Sequence, residues 1–289
     1  MTHSVAPEEF SCQCRYGTLR GLRWGRPDLP VILALHGWLD NAASFTRLAP
    51  LLSGYQVIAP DLPGHGHSDW LGPGADYSIW SGVEALHDLI GQLPAEQAPV
   101  LIGHSMGAAA GLLFGGAFPD QLSAYIALDA IGPLVTPPLQ APQQLADAIM
   151  AHGPRRPARV YGSAEEALAA RLRQNQELNA DCIGPVVLRN LQNSGEGVSW
   201  RTDPRLRDPS RVRLTEEQVQ AFMQRMQLPS LVVRAEGGLI PTAMFDLRLS
   251  YLTDSRYQQL PGHHHFHLER GTVDGVAAGI RHFLQEIQA

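Results

Sequence analysis

LIGHSMG, residues 101–107, closes an apolar stretch and opens an alanine-rich one. It fits the pattern G-x-S-x-G, with Gly103, Ser105 and Gly107 in place. APVLIGHS (98–105) reads as a buried strand, and MGAAAGLLFGGAF (106–118) reads as a helix. A serine at so sharp a strand-to-helix turn has a strained backbone, so its neighbours two residues away must be small. The turn lifts the hydroxyl off the sheet. The helix start behind it offers free N–H groups and the positive end of a dipole. Five residues of this kind recur by chance, but the flanking strand and helix point to a nucleophile rather than a structural serine.

The same alternation extends outward from this turn. VILALHG (31–37), YQVIAPD (55–61), LSAYIALDA (122–130), SLVVRAE (230–236) and SRYQQLPG (255–262) read as strands. SFTRLAPLLSG (44–54), YSIWSGVEALHDLIGQL (77–93) and TVDGVAAGIRHFLQEI (272–287) have helical period. Continuous apolar strands alternating with helices imply an α/β fold, a mostly parallel central sheet flanked by helices. EEFSCQCRYGTLRGLRWG (8–25) reads as an antiparallel hairpin feeding that sheet. No strand is expected from 133 to 213. Prolines 133, 137, 138 and 142 mark a departure there. PQQLADAIMAHG (142–153), SAEEALAARLRQN (163–175) and PVVLRNLQNS (185–194) are amphipathic helix candidates. The expected organisation is a core of 1–132 and 214–289, with a helical lid, 133–213, inserted after the sixth strand. Extra packing helices with no gating role are the alternative.

The 289 residues carry a formal net charge of -6, which offers no pull on nucleic acid or on anionic lipid. Arg155-Arg156 and the arginines from 201 to 213 are interrupted or flanked by acids and read as a solvated face. Cys12, Cys14 and Cys182 follow no disulfide framework and no zinc spacing. Cys12 and Cys14 share a strand face. The first residues, MTHSVAPEEF, lack a leader pattern, and no apolar run approaches the ~18 residues of a membrane span. A cytoplasmic protein is the expectation, as a monomer or a homodimer, with no metal and no cofactor.

HGWLDNAASF (36–45), DLPGHGHSD (61–69), GHSMG (103–107) and GHHHFHLE (262–269) occur in a telling order and at telling intervals. Together they resemble the α/β-hydrolase superfamily, in its capped, epoxide-hydrolase-like branch. Serine hydrolase-like proteins look closest. The likeness runs over nearly the whole chain, with the lid matched only in position and helical character. Epoxide hydrolases and haloalkane dehalogenases carry aspartate where this chain has Ser105, so acyl transfer is implied instead. The resemblance gives the oxyanion hole as the backbone N–H groups of Trp38 and Met106. One such donor is worth roughly 10² to 10³ in rate. The Trp38 indole then lines the pocket or packs in the core. His36 reads as structural, as do Asp61, His65 and His67, and Asp40 and Asn41 as caps for the next helix.

The family pattern H-x-x-H-x-E, counted back from Glu269, gives His264 as the base among His263, His264, His265 and His267. Metal binding by this tract is the weaker alternative. The acid is less direct. Much of the family has an aspartate two or three residues past the strand LVVRAE, where this chain has Gly237 and Gly238. Two carboxylates remain. Asp129 ends the preceding strand, the place used by some haloalkane dehalogenases, and is preferred because it demands no unusual loop. Glu236 is the alternative acid. The expected activity is that of a carboxylesterase-like serine hydrolase. It would cleave an ester or thioester of a small to medium hydrophobic acyl substrate through an acyl-enzyme. Carbon–carbon bond hydrolysis on the same triad, and an inactive binding protein on this scaffold, are the alternatives. Leu134, Met150 and Trp200 are candidates to line the pocket.

Overall fold

Strands form where the apolar runs stand. The computed structural model describes residues 6–94, 98–151, 158–175 and 177–288. β1 (Glu8–Cys14) and β2 (Gly17–Trp24) make the expected antiparallel hairpin. β3 (Val31–Leu35), β4 (Gln56–Pro60), β5 (Val100–His104) and β6 (Ala124–Leu128) come next. β9 (Ser230–Gly237) and β10 (Ser255–His263) complete an eight-stranded sheet, in the order β1-β2-β4-β3-β5-β6-β9-β10. From β4 to β10 every neighbouring pair is parallel. The carboxyl ends of β3, β5, β6, β9 and β10 therefore share one edge, the edge where open α/β sheets place their ligands.

Alternation along each strand fills both faces. Ile102 of β5 joins Ile32, Ile126 and Val233 under α8 (Val273–Glu286). Leu101 joins Leu33, Tyr125 and Val232 under α1 (Ile79–Ile90) and α2 (Met106–Ala117). Gly111 of α2 lies so close to the sheet that a Cβ there would sit 2.2 Å from Leu101. Cys12 and Cys14 do share a face, as free thiols 3.8 Å apart.

Several expectations need correction. SFTRLAPLLSG is not a helix but two 3-10 turns, Ala42–Phe45 and Ala49–Leu51. Pro50 lacks the N–H a continuous helix would need. The segment 133–213 does contain strands. β7 (Leu191–Ser194) and β8 (Gly197–Trp200) form a hairpin, so PVVLRNLQNS is half helix and half strand. The Ser194-Gly195-Glu196-Gly197 turn is responsible, with Gly195 at a φ of 63°. Tyr161 pairs with Val198 as a further rung. The other expected helices form as α3 (Ala141–Ala151), α4 (Ala164–Gln174) and α5 (Ala180–Arg189). His152 and Gly153 of one candidate, and Arg155-Arg156, lie outside the described residues. α6 (Glu216–Arg225) and α7 (Thr242–Leu249) are additional. The start of α6 carries a capping box from Thr215 to Gln218.

Arginines fasten the inserted segment to the core. Arg189, at the end of α5, donates to both oxygens of Asp61 at 3.0 Å and reaches Glu9 at 2.6 Å. Asp61 is fully buried and also accepts the N–H groups of Ala42 and His67, each at 2.8 Å. Arg205 is not part of a solvated face. It binds Asp203 at 2.7 Å and the carbonyls of Gly72 and Ala75. Arg189→Met leaves the buried Asp61 without its counter-ion and is expected to cost about 3–5 kcal/mol. Urea denaturation checks this; a loss under 1 kcal/mol would mean that the pair does not hold the two parts together.

Candidate active site

At the end of β5 the chain turns too tightly for ordinary residues. Ser105 has φ 51° and ψ -116°, in the left-handed half of conformational space. The small neighbours are compulsory. A Cβ at Gly103 would sit 2.4 Å from the Ala108 backbone, and one at Gly107 2.2 Å from the Leu35 carbonyl oxygen. A Cβ at Gly37 would stand 3.4 Å from the Ser105 Cβ, so the Gly37–Trp38 backbone lies against the nucleophile candidate. Met106 opens α2, and its N–H has no partner inside the helix. These are the positions expected of the two oxyanion donors.

His264 comes directly after β10. Its Nδ1–H donates to Asp129 Oδ2 at 2.6 Å, and Asp129 is fully buried. The backbone N–H of Ala235 donates to Asp129 Oδ1 at 3.0 Å, and that of Leu239 to Oδ2 at 3.3 Å. The loop after β9 thus receives the carboxylate that it does not supply. Gly238 is part of that reception: a Cβ there would fall 2.1 Å from Asp129 Oδ1. Gly237 likewise clears the ring of His263, at 2.6 Å. Asp129 itself has a φ of 45°. Glu236 is exposed, and among the described residues no hydrogen bond or ion pair joins it to His264.

The serine and histidine are joined through the backbone. Ser105 N–H donates to the Leu128 carbonyl at 3.2 Å, and Asp129 is the residue after Leu128. His104, the residue before Ser105, donates its Nε2–H to the His264 carbonyl at 2.8 Å. No hydrogen bond joins the Ser105 hydroxyl to His264 in this arrangement. Such bonds are often long without substrate and tighten only when it binds.

The surrounding histidines are buried, and most have structural work. His36 Nε2 accepts the Leu62 N–H at 2.9 Å, and His65 Nε2 accepts that of Leu39 at 3.3 Å. His265 Nε2 lies 3.3 Å from Asp40 Oδ2, and Arg171 of α4 donates to Asp40 Oδ1 at 3.2 Å. Burial alone would raise the Asp40 carboxyl; His265 and Arg171 outweigh it and hold it well below the usual carboxylate range. Asp40 is therefore an ionic link rather than a cap, whereas Asn41 does cap, accepting the Ala43 N–H. Burial pushes His36 down to about 4 and His65 and His267 down to about 3. His104 falls well below its ordinary value, first through burial and then through the neighbouring imidazoles. Among the described residues no three His, Cys, Asp or Glu side chains are grouped to hold a metal.

The Trp38 indole is half exposed, and its Nε1–H donates to the Leu206 carbonyl at 2.8 Å. It clasps the inserted segment instead of packing in the core. Leu134 and Met150 are exposed and line no described cavity, whereas Trp200 does line one. That cavity is bordered by Leu39, not by Ser105 or His264.

A family model described as the alpha/beta hydrolase fold matches residues 30–180. The chain belongs to the α/β-hydrolase fold family. Two relatives of this α/β hydrolase span almost its full length. A Drosophila melanogaster protein named "Probable serine hydrolase" is 28% identical, over 96% of this chain and 88% of that one. The human "Serine hydrolase-like protein 2" is 27% identical, over 99% and 97%. Among solved structures, a hypothetical protein of Pseudomonas aeruginosa PAO1 superposes with a TM-score of 0.89 at 34% identity, covering 96% of this chain and 99% of that one. The expected superfamily and fold are thus met. No helix among the described residues is long and apolar enough to cross a membrane.

Gly238→Ala forces a methyl group against the Asp129 carboxylate and should destabilise the fold by about 1–3 kcal/mol. Glu236→Ala should stay within about 0.5 kcal/mol. Denaturation of the two variants side by side distinguishes them, and equal effects would mean that Gly238 is not needed to seat Asp129. The buried rings also make stability depend on pH. An unfolded imidazole titrates near 6.5, as in model peptides, well above these buried rings. Below that value the unfolded chain takes up protons that the native rings refuse. Stability is therefore complete above about pH 6.5. It is lost as pH falls toward 3–4, by up to about 1.4 kcal/mol per pH unit for each ring. The melting temperature at pH 5 should lie well below that at pH 7.5; a flat profile would contradict the neutral cluster.

Proposed function

We propose that this α/β hydrolase is a serine hydrolase that cleaves an ester, or a thioester, of a hydrophobic acyl group through an acyl-enzyme. The observation that carries the reading is the 2.6 Å hydrogen bond from His264 Nδ1 to the buried Asp129. It fixes the tautomer that leaves Nε2 free to accept a proton, at the same sheet edge as the strained Ser105. Ser105 Oγ attacks the carbonyl carbon as its proton passes to His264. The Trp38 and Met106 amides hold the oxyanion. His264 then returns the proton to the departing alkoxide or thiolate, and the C–O or C–S bond breaks. Water, deprotonated by the same imidazole, attacks the acyl-enzyme and releases the acid and Ser105.

Asp129 orients His264 and stabilises its cation; it need not take the proton itself. The inserted segment, 133–213, serves as the lid in this reading. Its hydrogen bonds with Trp38, Asp40 and Asn41 of the loop after β3 support that role. The names carried by the relatives agree with hydrolysis. The binding-only alternative drew on the missing acid after β9, and a buried carboxylate on His264 leaves it without that ground.

A fluorophosphonate probe tests the proposal. Wild type is expected to label at Ser105, and Ser105→Ala and His264→Ala are not. Against a p-nitrophenyl ester, Asp129→Asn should lower kcat by about 10⁴, as loss of the acid does in a serine protease. Glu236→Gln should remain within about twofold, since an exposed side chain off the site contributes little. A folded wild type that never labels would refute the hydrolase. The reverse ranking of the two acids would refute the assignment of Asp129.

A further inference from the structure

Between the inserted segment and the loop after β3 lies a cavity of about 220 Å³. Leu39 borders it from the core, and Val186 and Val187 of α5 add apolar wall. Arg159, Arg171 and Arg207 line it too, whereas no aspartate or glutamate among the described residues does. The three guanidiniums are not equally engaged. Arg171 donates to Asp40 at 3.2 Å. Arg159 is held loosely, 3.6 Å from Glu166, with its guanidinium 4.8 Å from the centre of the Tyr161 ring. Arg207 is exposed and has no carboxylate partner among the described residues. The cavity therefore has spare positive charge within a protein whose net charge is -6.

Two connections tie this space to the proposed chemistry. Leu39 is the residue after Trp38, whose amide is the oxyanion donor. The Trp38 indole holds the Leu206 carbonyl, one residue before Arg207. The lining next to this loop is mixed, with apolar wall from Leu39, Val186 and Val187 and guanidiniums from Arg159 and Arg207. The cavity falls short of the ~300–1,000 Å³ typical of a pocket for a whole ligand, and so suits one part of a substrate. Planar guanidiniums match the oxygens of carboxylate and phosphate groups.

Building on the serine hydrolase reading, we infer that this cavity is a subsite for the anionic end, carboxylate or phosphate, of an amphipathic acyl ester. Its apolar body lies against Leu39, Val186 and Val187. Its charge sits between Arg159 and Arg207, with Arg171 held back by Asp40. The subsite sets specificity by distance, since the anion must be separated from the scissile carbonyl by an apolar spacer.

Binding to Ser105→Ala protein, which cannot turn over, tests this by titration calorimetry. Monobutyl adipate, an anion, is expected to bind at least about tenfold more tightly than neutral dibutyl adipate, the scale of one charge-assisted hydrogen bond. The preference should disappear in Arg159→Gln/Arg207→Gln and weaken with salt. Equal binding of the two esters, or a preference that survives the double substitution, overturns the subsite. An analogue ending in phosphate tells which anion fits better. The fluorophosphonate result is separate. Failure of Ser105 to label would sink the hydrolase reading, while the anion preference stands or falls on the titration.

Discussion

Crowding beneath Ser105 is the constraint on which the rest of this molecule depends. β5 has to stop, reverse into α2 and clear β3 within three residues. Only glycine fits at 103 and 107, because the Ala108 backbone and the Leu35 carbonyl oxygen occupy the space of any side chain. The strain is held in place by the sheet, not by the turn. β5 sits between β3 and β6, parallel to both. A buried central strand cannot shift to relax its last residue. The loops after β3, β6, β9 and β10 then converge on that residue simply because the strands are parallel and end together.

Electrostatics decides how the inserted segment meets this edge. Arg189 and Arg171 each reach a fully buried carboxylate of the core, Asp61 and Asp40. These carboxylates belong to the loops after β4 and β3. Buried ion pairs add little net stability compared with apolar packing, but they punish misplacement severely. They therefore fix the position of the insertion over the edge more firmly than apolar contacts would. The cavity shows a gradation of the same kind, with Arg171 tied to Asp40 at 3.2 Å, Arg159 3.6 Å from Glu166, and Arg207 exposed.

Much of this was legible in the amino-acid order because it is local or periodic. The strand runs and the small residues around Ser105 declare themselves within a few positions, whereas His264 was picked among four histidines by the pattern of the resembled family. Gly237 and Gly238 stand where the resembled family carries its acid, which left Asp129 and Glu236 as candidates, with Asp129 preferred because it demands no unusual loop. What the sequence hid was of two kinds. Local signals were overridden or missed: Pro50 breaks a helical period into two short turns, and Ser194-Gly195-Glu196-Gly197 folds a hairpin inside an apparently helical stretch. Distant pairings carried no signal at all. Arg189 and Asp61 are 128 residues apart, and the cavity wall gathers side chains from α4, α5 and the β3 loop. Nothing in an arginine's neighbours says which carboxylate it will find.

The glycine opposite Asp129 has an evolutionary corollary. Because a side chain at 238 would run into the Asp129 carboxylate, an acid at that position and one at 129 exclude each other. A lineage moving its acid between adjacent strands cannot add the new one before removing the old. It must cross an intermediate with neither, or change both codons together. Homologues should therefore divide into two discrete populations, with very few sequences lying between them.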